Sequence, residues 1–126
     1  MIYGIGVDLV KVARLENGLS RFGMHYADRL LAPDEHQAFF AAAEPARFLA
    51  KRFAAKEAFA KAAGTGLRPP LQLRSLAVTH TPLGQPGLSF HPGLAAWLRQ
   101  RGIGGHHLSL SDEREYVIAY VVLEKA

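Results

Sequence analysis

Residues 45–63, PARFLAKRFAAKEAFAKAA, constrain this chain more than any other segment. Proline opens the run, where its missing N–H costs a helix nothing. Alanine, the best helix former, fills much of the rest. Gly64 follows as a C′ residue able to take the left-handed conformation that ends a helix. The pattern predicts one long helix at about 45–63, after a helix at about 11–22 and another from Pro33 to about Ala43. Its apolar and alanine residues lie on nearly every side, so it is predicted to be largely buried. Glu57 and Lys61 then need an explanation, because a buried charge must be paired or put to use.

The elements around this helix are shorter. Residues 2–9, IYGIGVDL, read as a strand with Gly4, Gly6 and Asp8 on one face. In the helix at 11–22, Val12, Leu15, Leu19 and Phe22 form a buried stripe, with Lys11, Arg14, Gly18 and Arg21 beside it. Residues 23–32 receive no element. Strands are expected at 73–81, 88–90, 107–111 and 116–123, with a short helix from Pro92 to Arg101. The near-continuous apolar run of the last strand predicts burial on both faces, in a sheet centre or an oligomer interface. The order predicts an α+β fold, with helices packed on a mainly antiparallel sheet.

Composition removes several classes of function. A chain of 126 residues, 49% hydrophobic, is long and apolar enough for one packed domain over 1–126. The absence of cysteine excludes a disulfide scaffold, a thiolate zinc site and a cysteine nucleophile. The N-terminus reaches Asp8 too soon for a signal peptide, and no apolar run is long enough to span a membrane, so a soluble cytoplasmic protein is expected. A net charge of +4 points to an anionic partner without choosing one: nucleic acid, a phosphorylated metabolite or an acidic protein.

Asp8 and Glu57 are the first candidates for chemistry. One reading makes them ligands of Mg²⁺, which is usually held by one or two carboxylates, waters and substrate phosphates. The other pairs Glu57 with Lys61 at i, i+4 and makes Asp8 a helix cap. Lys61, Gly64, Thr65 and Gly66 form K-x-x-G-T-G, read either as a plain C-cap or as a phosphate loop. A helix C-terminus is the wrong dipole end for an anion, so in the second reading Lys61 carries the load. His106 and His107 alternate across a strand and make no zinc box. His107 faces the same way as Ser109 and Ser111, which suits a phosphate or another ligand. Lys11, Arg14 and Arg21 read either as a solvated face or as a dock for an acidic partner.

Taken in order, GIGVDL, RFAAKEAFAKAAGTG and HLSLSD resemble the holo-acyl-carrier-protein synthases, the short bacterial type of 4'-phosphopantetheinyl transferase. The resemblance covers nearly the whole chain. It implies that the phosphopantetheine arm of coenzyme A is moved to a serine of apo-acyl carrier protein, releasing 3',5'-ADP, in fatty acid biosynthesis. It implies Mg²⁺ on Asp8 and Glu57, with Lys61 as a phosphate ligand and proton handler. The base would be Glu57 or a metal-bound water. Arg52, Gly64, Gly66, His107 and Ser109 would line the coenzyme A site. Arg14 and Arg21 would meet the acidic carrier protein on the first helix. A homotrimer with active sites between subunits is expected, without nucleic acid or membrane partners. A nucleic-acid-binding protein is the rival reading, favoured only by the basic charge. Asp112 and Gln85 stand where the family often has histidine and lysine, and Ala32 where it has a Ser/Thr cap.

Overall fold

The computed structural model describes residues 1–126. Strand β1 (Ile2–Lys11) leads into helices α1 (Val12–Phe22) and α2 (Met24–Leu30). A 3₁₀ turn at Pro33–Glu35 precedes α3 (His36–Ala41), and α4 (Pro45–Ala63) follows with the bounds its sequence predicts. Then come β2 (Leu76–His80), β3 (Pro86–Phe90), α5 (Pro92–Gln100), β4 (Ile103–Asp112) and β5 (Tyr116–Lys125). The fold is α+β. Every strand pairing is antiparallel: three strands in the order β1-β5-β4, and a separate hairpin β2-β3.

Helix α4 is the centre of the core, with Leu49, Ala54, Ala55, Ala58, Phe59 and Ala62 buried. It lies against β1 and β5, whose Val10, Val117, Ala119, Val121 and Leu123 face it. Two glycines set how close it comes. A Cβ on Gly4 would stand 2.0 Å from the Ala62 carbonyl oxygen, and one on Gly6 2.0 Å from that of Ala58. No side chain fits at either position, so the helix backbone rests directly on the strand.

Several expectations need correction. The prediction of burial on both faces of the last strand holds on one face only within this chain. β5 is the sheet centre, yet Ile118 and Tyr120 are exposed on the face away from α4, beside Ile5, Val7 and Leu9 of β1. In α1, Phe22 is exposed and Gly18 is buried, the reverse of their predicted stripes. The reason is α2, a helix in the stretch 23–32 where none was expected. Its Tyr26 covers Gly18 so closely that a Cβ there would lie 2.1 Å from the ring. Asp8 caps no helix: β1 continues to Lys11, the N-cap of α1, which makes no side-chain cap bond. The first third of the predicted strand at 73–81 is instead a 3₁₀ turn at Leu73–Ser75.

Candidate active site

Asp8 follows Gly4 and Gly6 on the face of β1 that meets α4, so the same close approach brings its carboxylate to the helix. Lys61 reaches back across the contact. Its Nζ donates to Asp8 Oδ1 at 3.1 Å and to the Val7 carbonyl at 3.0 Å. The predicted i, i+4 pair of Glu57 with Lys61 is therefore replaced by a pair between Lys61 and Asp8. Glu57 is half-buried and forms no ion pair of its own. Burial raises its pKa above the ordinary carboxylate value, the Asp8 charge raises it further, and Lys61 and Arg14 oppose both. Two carboxylates thus share one site with a single ammonium in direct contact.

That donor set suits a hard divalent cation. Two carboxylates beside an open rim match the way Mg²⁺ is held, with waters and phosphate oxygens completing its shell. The repulsion felt by Glu57 is what such a cation relieves. No group of three or more His, Cys, Asp or Glu side chains that could hold a metal forms anywhere in the chain.

The glycine loop is spent on capping. Gly64 and Gly66 have φ of 85° and 67°, the left-handed region. The Gly64 N–H donates to the Lys61 carbonyl at 3.0 Å and the Gly66 N–H to that of Ala60 at 3.2 Å. Neither amide is left for a phosphate, so of the two readings of K-x-x-G-T-G the C-cap is the one built here, and Lys61 supplies the charge.

The remaining expected site residues lie elsewhere. Arg52 is buried, stacked 4.0 Å over the Phe48 ring, with Nε 3.2 Å from Glu35 Oε2. His107 pairs through Nε2 with Glu124 Oε1 and is exposed, as is Ser109. In register, Asp8 pairs with Ala119 and Ala119 with Leu110, so His107 and Ser109 project from the opposite face of the sheet to Asp8. One chain does not bring them to Glu57. Arg14 lies 5.1 Å over Phe53 and close enough to lower the Glu57 pKa, whereas Arg21 lies over Phe22 at the far end of α1.

Sequence reasoning missed Glu35. Its two oxygens accept from the Ala32 and Val78 N–H groups, both at 2.9 Å, and from Lys56 Nζ at 2.5 Å. Lys56 also donates to the Leu30 and Leu73 carbonyls. Glu35 thus supplies the return half of a capping box, accepting from the N–H of the cap residue Ala32, while its own N–H goes to the Ala32 carbonyl at 3.0 Å in place of a Ser/Thr side chain. The spacing Ala32-x-x-Glu35 was its one local signal.

Residues 4–121 match the 4'-phosphopantetheinyl transferase superfamily. The chain belongs to that superfamily. Among its relatives, the holo-[acyl-carrier-protein] synthase of Thiobacillus denitrificans is 56% identical over 126 residues, covering 100% of this chain and 96% of the relative. That of Nitrosomonas europaea is 54% identical over 99% and 100%. The transferase fold is equally clear in solved structures. The Neisseria meningitidis holo-[acyl-carrier-protein] synthase superposes with a TM-score of 0.97 at 47% identity, covering 99% of this chain and 100% of its own. The Helicobacter pylori synthase, solved with coenzyme A, gives 0.83 at 28% identity, covering 95% and 99%.

Proposed function

We propose that this transferase-superfamily chain moves the 4'-phosphopantetheine arm of coenzyme A onto a serine of an apo-acyl carrier protein, releasing 3',5'-ADP. The observation that carries the reading is the Asp8–Glu57–Lys61 cluster, built where β1 lets α4 approach, in a chain similar along its whole length to holo-[acyl-carrier-protein] synthases. In the reaction a serine O–P bond forms, a pyrophosphate P–O bond breaks, the 3',5'-ADP leaves with the bonding electron pair, and the serine proton passes to Glu57 or to a water in the site. The nucleophile comes from the partner, which accounts for a site with no serine or cysteine nucleophile of its own.

Asp8 and Glu57 would hold Mg²⁺, which supplies charge neutralisation to the pyrophosphate when bound. Lys61 offers the phosphates a second positive charge from the same rim and steadies the departing 3',5'-ADP. Arg14 and Arg21, exposed on α1 with Phe22, give an acidic carrier protein a charged and apolar face to meet.

The site is finished by a second copy of the chain. The outer face of the β1-β5-β4 sheet exposes Ile5, Val7, Leu9, Ile118 and Tyr120 together, a patch that invites burial against its like. His107 and Ser109 share that face, and the family resemblance implies that the assembly closing over it completes each site between one subunit's His107 and a neighbour's carboxylates. A closed trimer, the state implied by the family resemblance, satisfies this. The deciding experiment is mass spectrometry of an apo-carrier protein incubated with the enzyme, coenzyme A and Mg²⁺. A gain of roughly 340 Da, the mass of the arm left by metal-assisted phosphoryl transfer, is expected. An unchanged mass across several carrier proteins would refute the reading.

A further inference from the structure

Arg47, in the first turn of α4, has its side chain 19% exposed and makes three hydrogen bonds to one turn, while its Nε stands 3.7 Å from Glu44 Oε1. Nη1 donates to Asp112 Oδ2 at 2.9 Å and to the Glu113 carbonyl at 2.8 Å, and Nη2 donates to the Arg114 carbonyl at 2.6 Å. Lys51, one helical turn on, stands 3.7 Å from Asp112 Oδ1. The residues so gripped are the connection between β4 and β5. This gives Asp112 a role that the family resemblance did not supply.

The connection has a second attachment. The carbonyl of Glu115 accepts from the Val12 N–H at 2.8 Å. That is the first amide of α1, a helix whose N-cap, Lys11, has no side chain bonded to it. A main-chain carbonyl from the turn therefore does the capping, and its position depends on the turn. Helix α1 carries Arg14 and Arg21. One chain of contacts to its first turn runs from Arg47 through residues 113–115 to the Val12 N–H, beside the core packing of Val12 and Leu15.

We propose that Arg47 is a positioning residue for the carrier-protein face: it fixes the β4–β5 turn, which caps α1 and so sets where Arg14 and Arg21 stand. The proposal rests on the transfer reading above and adds a residue that touches neither substrate. An arginine is needed because a planar fork can hold a carboxylate and two carbonyls at once, whereas an ammonium is a single point. Without it, the Asp112 carboxylate and the Glu113 and Arg114 carbonyls fall back on water.

The test is steady-state kinetics with coenzyme A and carrier protein varied in turn, on wild type, Arg47→Ala, Arg47→Lys, Asp112→Asn and Arg14→Glu. Arg47→Ala is expected to raise the carrier-protein KM roughly tenfold, the weight of one charge-assisted contact, with kcat and the coenzyme A KM within about twofold of wild type. Arg47→Lys should behave nearly as badly. Asp112→Asn should do less, because both carbonyl bonds remain. Hydrogen exchange over residues 12–22 should speed up in Arg47→Ala, a change that a loss of unrelated surface charge does not produce. A wild-type carrier-protein KM in Arg47→Ala overturns the proposal, as does a coenzyme A KM that rises in parallel. If Arg47→Ala does not fold, the same two constants for Arg47→Lys decide. The underlying reading fails separately, and visibly, if wild type modifies no carrier protein. A silent Arg14→Glu would show that α1 is not the docking helix, and the proposal falls with it.

Discussion

Asp8 and Glu57 repel one another across the contact of β1 with α4, and that repulsion is what the proposed cation would remove. Asp8→Asn and Glu57→Gln keep the shapes and delete one charge each. Either should cut turnover by a factor on the order of 10² or more, the scale of one lost transition-state electrostatic contact. Added Mg²⁺ should recover part of the loss, and circular dichroism should show the fold unchanged. Wild-type turnover in both variants would break the site assignment. Glu35 shows the same chemistry turned to structure. It faces two buried cations, Lys56 and Arg52, whose pKa values are pushed down by burial and back up by its charge. Glu35→Leu leaves both without a counter-charge, at a cost of about 3–5 kcal/mol. Chemical denaturation should read that loss. A midpoint equal to wild type would mean the cluster is not the anchor it looks to be.

Between elements, the informative contacts are those that sequence periodicity does not see. α2 is held over α1 by Tyr26 on Gly18, and tied to the start of α3 by His36 Nε2, 2.9 Å from Asp28 Oδ1. The Asp28 hydrogen bond raises the His36 pKa above 6.5, with help from the Pro33 carbonyl. A histidine raised on folding stabilises the fold fully below its unfolded value. That contribution fades as pH climbs from 6.5 through the raised folded value. Asp28→Asn should therefore flatten the stability-versus-pH curve on the alkaline side of 6.5 and leave the rest in place. Thermal unfolding at a series of pH values is the measurement. An unchanged slope would show that the pair contributes nothing to folding.

At the scale of the whole molecule, the proposed assembly turns on the outer sheet face. Val7 is central on it, in register with Tyr120, which pairs in turn with Ser109. Val7→Lys places a charge in the middle of the face while leaving the α4 side of β1 untouched. It should convert the proposed oligomer to monomer and abolish transfer together, because in that assembly each site draws His107 from one subunit and its carboxylates from the next. Light scattering and the mass-shift assay check both. A fully active monomer would sink the shared site. Much of this protein was legible in its residues. Pro45, the run of alanines and Gly64 marked α4 to its ends, and period-two runs found strands with boundaries a few residues off. Asp8, Glu57 and Lys61 stood out as charges in apolar surroundings, a property of local composition. What tertiary structure alone decided was partnership. Lys61 pairs with Asp8, 53 residues away, rather than with Glu57 one turn back. Arg47 grips a turn 65 to 67 residues on. Lys56 finds Glu35, and His107 ends on the face opposite Asp8. Periodicity tells which side of an element is apolar, but which charges meet depends on how closely two backbones approach, and here two glycines set that distance.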